Sequence, residues 1–412
     1  MNDQSRIPAY LRAGRLGSLT LRNRLVRAAT SETMATEDGD ATAELIAFYE
    51  RLARGGAGLI ITGHIFVAHR GQCSPRQMGL DSDARVPGLH RLTDAVHAAG
   101  GRIFAELSHA GSQSMMPDRL PLAPSVVTNP IYARHPDEAS EADIAETVDA
   151  FARAATRAKD AGFDGIHLHG GNGYLIAEFS SPHSNRRTDG WGGDPAGRAR
   201  FSVAVCRAVR EAVGPDYPVT MRIGLADSVP DGLALAESLD RAALLAAEGI
   251  DGFEVTLGIM GSYLENIRPY VAVGPRRALE DWLVPRLWRP AAPQAYYRDF
   301  ARALRTRVNC PIILVGGVRS TEMMEELLDS GDADFLALSR PFIREPDLPN
   351  RLAAGHRGMP DCVSCNICLA HDGYHPLKCW RKHPADLAAH ALFRLRGGIG
   401  RLAARFRAAD AA

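Results

Sequence analysis

The sequence lacks the features that would assign it to a membrane, to nucleic acid or to a repeat architecture. It contains no run of eighteen or more apolar residues, so no membrane-spanning helix is expected. Lys and Arg number 48, as do Asp and Glu, and this balance gives no electrostatic basis for nucleic-acid binding. No segment repeats with the period of a solenoid. The first residues also lack the apolar centre of a signal peptide, which is consistent with a cytoplasmic location.

Cysteine is scarce and unevenly distributed. Four of the seven cysteines lie near the C-terminus, at Cys362, Cys365, Cys368 and Cys379. This crowding suits a reducing compartment and a metal site better than a disulfide framework. Three thiolates at CxxCxxC spacing can surround one soft metal centre, and the fourth can complete its shell. A zinc site would need the same thiolates, and an empty remnant of a metal site is a third possibility.

The 412-residue chain is longer than most single domains, but α/β barrels with insertions commonly reach this length. Short apolar runs alternate with longer helical patterns from residue 24 onward, as in parallel βα units. Strands are predicted at residues 25–29, 58–62, 103–107, 166–169, 219–223, 252–256, 312–315 and 335–338. Helices are predicted at residues 43–54, 88–99, 141–161, 198–213, 235–248, 296–308 and 321–330. This pattern favours a TIM (β/α)8 barrel, with a doubly wound sheet as the alternative.

The stretch from residue 165 to residue 201 carries the strongest chemical signal. A short apolar strand with inward-alternating histidines breaks into a glycine loop that holds His169, Asn172 and Tyr174 close together. In α/β barrels, polar groups at the carboxyl end of a strand occupy the catalytic face. His169 and Asn172 can both donate hydrogen bonds to one oxygen, and Tyr174 can supply a proton. The structural alternative is a polar strand end with a core histidine.

The same stretch, HGGNGYLIAEFSSPHSNRRTDGWGGDPAGRARF, resembles the Old Yellow Enzyme family of FMN-dependent oxidoreductases. The resemblance extends from Leu16 to about Cys379, nearly the whole chain. It implies non-covalent FMN at the carboxyl ends of the barrel strands. It further implies that His169 and Asn172 hold the carbonyl oxygen of the substrate and that Tyr174 donates a proton.

The resemblance also assigns residues to FMN. Residues expected at the flavin ring are Ala28, Ala29, Thr30, Ser31 and Gly63, with Ala29 in place of the usual proline. Glu106 stands where many relatives read the pyrimidine edge with glutamine. Arg222 is expected beside flavin N1 and O2, and a salt bridge with Glu254 is its structural alternative. Residues expected at the phosphate are Gly316, Gly317, Ser339 and Arg340.

The four C-terminal cysteines resemble the [4Fe–4S] ligands of the trimethylamine dehydrogenase and 2,4-dienoyl-CoA reductase branch, although the last gap is shorter here. The predicted domain organisation is therefore a barrel at 1–357, a cysteine-rich segment at 358–383 and a basic amphipathic tail at 384–412. Apolar residues recur at helical spacing in the tail at Leu392, Leu395, Ile399, Leu402 and Phe406. The tail is expected to pack on the barrel or on a sister subunit of a homo-oligomer, with docking to a membrane surface or an acidic partner as the minority alternative.

The function implied by the resemblance is NAD(P)H-dependent reduction of an activated alkene, in which hydride passes through FMN to the β-carbon. No GxGxxG follows a strand, so NAD(P)H is expected to dock directly at the flavin, or a partner protein to supply electrons. The long irregular stretch at 257–293 is expected to select the substrate. One alternative is an amine or N-methyl dehydrogenase that passes electrons through the cluster to a partner. Glu106 and the cysteines favour this alternative, and the absence of an acidic residue soon after the sixth strand opposes it. The other is a flavin-free lyase-like or binding barrel.

Overall fold

Eight parallel strands close into a ring in the computed structural model, which describes residues 7–129, 131–132, 134–261, 265 and 294–396. The strands are β1 Leu25–Arg27, β2 Leu59–Ile61, β3 Ile103–Ser108, β4 Gly165–Gly170, β5 Val219–Gly224, β6 Gly252–Thr256, β7 Ile312–Val315 and β8 Phe335–Leu338. Each strand pairs with the next, and β8 pairs with β1 through Leu336 and Leu25. This last pairing confirms the predicted TIM barrel and excludes the doubly wound sheet.

The helices surround the ring. Their bounds are α1 Ala43–Arg54, α2 Val86–Ala98, α3 Glu141–Asp160, α4 Leu175–Ser180, α5 Pro195–Val213, α6 Leu235–Ala247, α7 Arg298–Arg305, α8 Thr321–Asp329, α9 Arg340–Arg344, α10 Leu348–Ala353 and α11 Pro384–Leu395. Side chains fix several of their starts. Ser140 and Asp143 form a capping box at α3, and Asp194 caps α5 just before a proline at its first position. In the described part of the chain, 3₁₀ turns lie at Ala9–Leu11, His69–Gly71, Asp83–Arg85, Gly111–Gln113 and Leu369–His371.

The amino end of the barrel is closed by an antiparallel hairpin of two short strands, Gly14–Leu16 and Leu19–Leu21. Leu16 and Leu21 have no exposed surface and pack against Val26, Phe104 and Phe335 inside the ring. Further short strands lie at Ile65–Phe66, Leu122–Ala123 and Asp137–Glu138. Because the hairpin fills the amino end, the carboxyl end is the open face of the barrel.

Strand alternation places polar side chains in the upper part of the ring. In β4, Ile166 and Leu168 belong to the main apolar cluster that contains the helix faces, while His167 and His169 occupy the alternate positions. Neighbouring strands contribute Arg222 and Glu254 at the corresponding level. The barrel interior therefore changes from apolar at its amino end to charged near its carboxyl end.

The cysteine-rich segment packs directly on the carboxyl face. The Leu377 N–H donates to the Glu32 carbonyl oxygen at 2.9 Å, and the Gly373 N–H donates to Thr33 Oγ1 at 3.2 Å. Of the predicted amphipathic tail, Leu392 and Leu395 lie in α11, and Ile399, Leu402 and Phe406 fall outside the described residues. The predicted division at residues 357 and 383 stays a prediction. No helix within the described ranges is long and apolar enough to cross a membrane.

Candidate active site

One cavity opens at the carboxyl ends of the strands and brings together residues distant in sequence. Of the predicted site residues, its wall contains Ala29, Thr30, Ser31, Asn172, Arg222, Gly316, Gly317, Ser339 and Arg340. Ala28, Gly63, Glu106, His169 and Tyr174 are not part of this wall. The cavity volume is about 200 Å³.

The predicted catalytic residues lie at the end of β4 and on the loop that follows it, next to this cavity. The rings of His169 and Tyr174 stack with their centroids 4.1 Å apart. Asn172 adopts a left-handed backbone conformation with φ 55°, and its side-chain amide donates to Thr256 Oγ1 at 3.2 Å. The loop therefore places all three predicted groups at one side of the cavity, although only Asn172 reaches its wall.

Burial determines the protonation of these groups. Burial and, secondarily, the charge of Arg222 lower the pKa of His169 well below its ordinary value, so its imidazole is neutral. Its Nδ1 has no hydrogen-bond partner within the described part of the chain. Burial also raises the pKa of Tyr174 well above its ordinary value, so the phenol keeps its proton. A neutral imidazole and a protonated phenol are the states required to bind an oxygen and donate a proton.

Three residues that the sequence did not assign to catalysis support this loop. Gln113 Nε2 donates to the Asn172 carbonyl oxygen at 2.6 Å. The Tyr174 hydroxyl lies 3.5 Å from Cys73 Sγ, and the His64 ring lies edge-on to Tyr174 with centroids 5.4 Å apart. Gln113 and Cys73 are far from Tyr174 in sequence and match no motif, so only the fold reveals them.

Arg222 lies in the cavity wall and also forms the salt bridge proposed as its structural alternative. Its Nη2 and Nε atoms are 2.7 and 3.0 Å from Glu254 Oε1, and Nη1 is 3.5 Å from Glu106 Oε1. The salt bridge with Glu254 is therefore present, and the expected position of Arg222 beside flavin N1 and O2 stays a prediction. Glu106 contacts Arg222 beneath the cavity, so its predicted pairing with the flavin pyrimidine edge stays a prediction.

Gly63 and Ala28 are tightly enclosed at the ends of β2 and β1. The Gly63 N–H donates to Glu32 Oε1 at 2.6 Å, and a Cβ atom on Gly63 would lie 2.3 Å from that carboxylate. Burial raises the pKa of Glu32 to about 7. Ala28 has no exposed surface and packs inside the barrel. The small residues at these positions are thus explained by packing against Glu32 and the barrel core, and their predicted contact with flavin stays untested.

The opposite end of the cavity is suited to an anion. Gly316 and Gly317 have positive φ angles of 104° and 78°, a backbone conformation that favours glycine. Arg340 and the buried Arg319 both line the wall, and the charge of Arg340 helps burial to lower the pKa of Arg319. Two guanidinium groups close enough to repel each other are stabilised by an anion between them. Arg319 immediately follows the Gly-Gly turn, at GGVR, but was not singled out from sequence.

The cysteine-rich segment supplies another part of the wall. Cys368, Leu369, Asp372 and Leu377 all line the cavity, and the Ser31 hydroxyl hydrogen-bonds the Asp372 carboxylate. Arg340 Nη1 donates to Asn366 Oδ1 at 2.5 Å, which joins the anion-binding end to the same segment. The predicted cysteine-rich extension is therefore also part of the candidate site.

All four cysteines line a second cavity of about 300 Å³ beside the first. Cys368 and Arg340 lie in the walls of both cavities, and Arg344 Nη1 is 3.8 Å from Cys379 Sγ. No three His, Cys, Asp or Glu side chains in the described residues are arranged to hold a single metal ion. The predicted metal site thus stays a prediction.

Known proteins are similar to this chain in sequence and in fold. The family model described as NADH:flavin oxidoreductase / NADH oxidase matches residues 15–358. An NADH oxidase of Thermoanaerobacter brockii is 36% identical over 366 residues, which are 87% of this chain and 53% of the relative. A 4,4'-dithiodibutanoate disulfide reductase of Rhodococcus erythropolis is 36% identical over 378 residues, covering 88% of this chain and 92% of the relative. The chain thus spans about half the length of the first relative and most of the second.

A solved structure agrees with these relatives. The Old Yellow Enzyme homologue of Zymomonas mobilis superposes with a TM-score of 0.70 at 26% identity, covering 93% of this chain and 99% of that one. The region matched by the family model extends from the N-terminal hairpin through β8, so it includes every barrel strand.

Proposed function

Because the chain belongs to the NADH:flavin oxidoreductase / NADH oxidase family of Old Yellow Enzyme-like FMN oxidoreductases, we propose that it reduces alkenes conjugated to a carbonyl group, using NAD(P)H as reductant. FMN, when bound, supplies the hydride-transfer chemistry. Family membership decides against the flavin-free lyase or binding barrel.

One observation carries the cofactor assignment: Arg222 and Arg340 line the same cavity. Arg222 provides a cation for the pyrimidine side of the ring system, and Arg340 with Arg319 provides two guanidinium groups for the phosphate. The Gly316–Gly317 turn lets backbone N–H groups approach the phosphate oxygens. Thr30 and Ser31 line the same wall, which supports their expected contacts with the ring.

On the substrate side, His169 and Asn172 hold the carbonyl oxygen and stabilise the charge that develops on it. Removing a comparable oxyanion donor typically costs roughly 100- to 1,000-fold in rate. The Asn172 amide nitrogen has two N–H donors, of which one bonds Thr256 and the other is available to the substrate oxygen. The Nδ1 atom of His169 is buried without a partner among the described residues, as expected for an atom that a ligand satisfies. Tyr174 then protonates the α-carbon.

Replacing the tyrosine tests the proton-donor role. Tyr174→Phe should slow oxidation of the reduced enzyme by an enone at least tenfold and leave reduction by NAD(P)H unchanged. Tyr217→Phe is the matched control, since the Tyr217 hydroxyl bonds the Phe163 carbonyl away from the cavity. An undiminished oxidative half-reaction in Tyr174→Phe would remove Tyr174 from the mechanism. A disulfide substrate, of the kind named for the Rhodococcus relative, should be included beside the enone to test the substrate class.

For the cysteines we propose a [4Fe–4S] cluster held by Cys362, Cys365, Cys368 and Cys379. Their placement around one cavity of about 300 Å³ suits a group larger than a single ion. Iron and acid-labile sulfide assays on anaerobically purified protein test this directly. Four irons per chain are expected, and one zinc or no metal would contradict the proposal.

A second function is favoured by the common wall of the two cavities. Because Cys368 lines both, electrons from an oxidised amine substrate have a short route from flavin to cluster and then to a partner protein. Stopped-flow mixing with NADH and NADPH separates the two functions. Rapid bleaching of the flavin supports the reductase, whereas bleaching only by an amine supports the dehydrogenase.

A further inference from the structure

Four ionisable side chains form a buried layer directly beneath the candidate cavity. They are contributed by four consecutive strands, β3 to β6, as Glu106, His167, Arg222 and Glu254. Glu106 is 1% exposed, and His167 and Glu254 have no exposed surface. Arg222 and Glu254 extend into the cavity wall, whereas Glu106 and His167 do not. The layer thus contacts the cavity from within the barrel.

The distances show that one guanidinium serves two carboxylates. Arg222 is 2.7 Å from Glu254 and 3.5 Å from Glu106. His167 Nε2 lies between the two acids, 3.7 Å from Glu254 Oε2 and 3.9 Å from Glu106 Oε1. Glu106 Oε1, Glu254 Oε2 and His167 Nε2 form no hydrogen bond among the described residues. Buried atoms without partners are uncommon, so these three require an explanation.

The charge balance of the layer explains why these three atoms have no partner in the described part of the chain. With both acids ionised and His167 neutral, the layer carries one excess negative charge in the barrel interior. Burial strongly disfavours such a charge. Reduction of a flavin bound against Arg222 would place a further negative charge beside it. Proton uptake by one of its carboxylates would offset this further charge, in addition to the nearby buried guanidinium of Arg27.

We infer that Glu106 is a proton-accepting positioning residue: it takes up one proton when negative charge develops on the cofactor beside Arg222, and releases it when that charge is removed. This inference rests on the proposed FMN site. In the reductive half-reaction, the nicotinamide supplies a hydride, which is two electrons and one proton, and solvent supplies the proton taken up by Glu106. In the oxidative half-reaction, the substrate receives the hydride and a proton from Tyr174. Glu106 then returns its proton to solvent, and Tyr174 is reprotonated.

The surroundings of Glu106 favour this exchange above about pH 8, where its carboxylate is ionised before the negative charge develops. Burial is the main cause that raises the pKa of Glu106 to about 8, with Arg222 opposing it and Glu254 and Glu32 adding to it. The ionisable groups facing the layer are Glu254, Glu32, Arg27, Arg222, His167, His169, His64 and Tyr174. Burial keeps His167 neutral by lowering its pKa well below the ordinary value. A carboxylate that titrates near pH 8 is therefore the group best placed to exchange the proton.

The experiment measures protons rather than turnover. FMN-loaded protein is photoreduced anaerobically in weak buffer at pH 9, and proton uptake is read from an indicator dye. Wild type should bind as much as one proton more per flavin than Glu106→Gln does. Between pH 8 and 9.5, the reduction potential of wild type should fall more steeply with pH than that of Glu106→Gln. The difference between the two slopes should reach as much as one proton per two electrons, about 30 mV per pH unit. Glu178→Gln is the matched control, because Glu178 is also buried with a pKa raised to about 8 but bonds Ser112 instead of Arg222.

A second variant provides an independent result. In Glu254→Gln, Glu106 becomes the only carboxylate beside Arg222, so its proton uptake should begin at lower pH than in wild type. Equal proton uptake by wild type and Glu106→Gln, or an unshifted profile in Glu254→Gln, would overturn the role of Glu106 while leaving the FMN site intact. Protein that binds no FMN would overturn both.

Discussion

Arg340 donates a 2.5 Å hydrogen bond to the side-chain oxygen of Asn366, and this bond connects the cavity wall to the loop that carries the cysteines. Asn366 adopts a left-handed conformation with φ 60° and is 1% exposed. Asparagine tolerates this conformation better than most residues. The position of the guanidinium at the anion-binding end of the cavity is therefore set in part by the cysteine-rich segment.

Removing the Arg340 guanidinium should weaken the binding of FMN more than the binding of riboflavin. Arg340→Ala is expected to raise the Kd for FMN roughly 10- to 100-fold, since hydrogen bonds to charged groups contribute about 1.5–3 kcal/mol. Fluorescence quenching of the flavin measures the affinity. Riboflavin is the control ligand, because it lacks the phosphate, and its Kd should change less than threefold. Equal losses for both flavins would place Arg340 away from the phosphate.

A companion variant tests the Asn366 contact itself. Asn366→Gly keeps the left-handed backbone accessible but removes the oxygen that holds Arg340. The Kd for FMN should rise several-fold, by less than in Arg340→Ala. In the double variant, Asn366→Gly should add little to Arg340→Ala, because the two residues act through one interaction. Additive effects would show that Asn366 acts independently of Arg340.

Gln113 should act on substrate binding through Asn172. Its 2.6 Å bond to the Asn172 carbonyl holds a residue in a conformation that non-glycine residues rarely adopt. Gln113→Ala should lower kcat/KM for an enone about two- to tenfold, as expected for one neutral hydrogen bond. Gln113→Glu keeps the shape but, when ionised, cannot donate, so it should be at least as impaired. A fully active Gln113→Glu variant would exclude this role for the donor.

Glu178 should make stability depend on pH. Burial raises its pKa to about 8, while hydrogen bonds from Ser112 oppose the rise. The native state therefore holds a proton that the unfolded state loses above about pH 4.3. Its contribution is fully present below that pH and is lost as pH rises through 8, with a slope of about 1.4 kcal/mol per pH unit.

Urea unfolding of apoprotein between pH 5.5 and 8 provides the measurement for Glu178→Gln. The free energy of unfolding should decline less steeply with rising pH in the variant than in wild type. The two slopes should differ by as much as about 1.4 kcal/mol per pH unit, the value for one proton. Buried histidines such as His109, whose pKa burial lowers to about 3, act in the opposite direction below about pH 6.5. They are unchanged in the variant, so the difference between the two proteins isolates Glu178. Parallel curves would show that Glu178 is ionised in the native state.

Leu16 should be essential to closure of the barrel. It has no exposed surface and packs against the barrel interior, where a Cβ atom on Gly252 would lie 2.8 Å from its side chain. Leu16→Ala should reduce the free energy of unfolding by about 2–5 kcal/mol. Leu244→Ala is the control, because Leu244 is 51% exposed on α6 and should change stability by less than about 1 kcal/mol. Similar losses in both variants would contradict a closing role for the hairpin.

The strands and most helices were predictable because their signals are local. The predicted strand at 312–315 and helix at 43–54 agree with Ile312–Val315 and Ala43–Arg54 to the residue. The predicted helix at 296–308 is shortened to Arg298–Arg305, since Tyr296 lines the cavity and Tyr297 is the residue that precedes the helix as its N-cap. Tyr263, Trp282 and Trp288 of the predicted substrate-selecting loop lie outside the described residues.

The sequence by itself determined the order of elements, the barrel and the family, because apolar periodicity and motif spacing are properties of neighbouring residues. Only the tertiary structure decided which charges meet. It placed Glu106 against Arg222 beside Glu254, the one partner already offered by the sequence, and joined Gly373 to Thr33 across 340 residues of chain. Such pairs depend on which strands and segments become neighbours when the ring closes, and no local pattern records that closure.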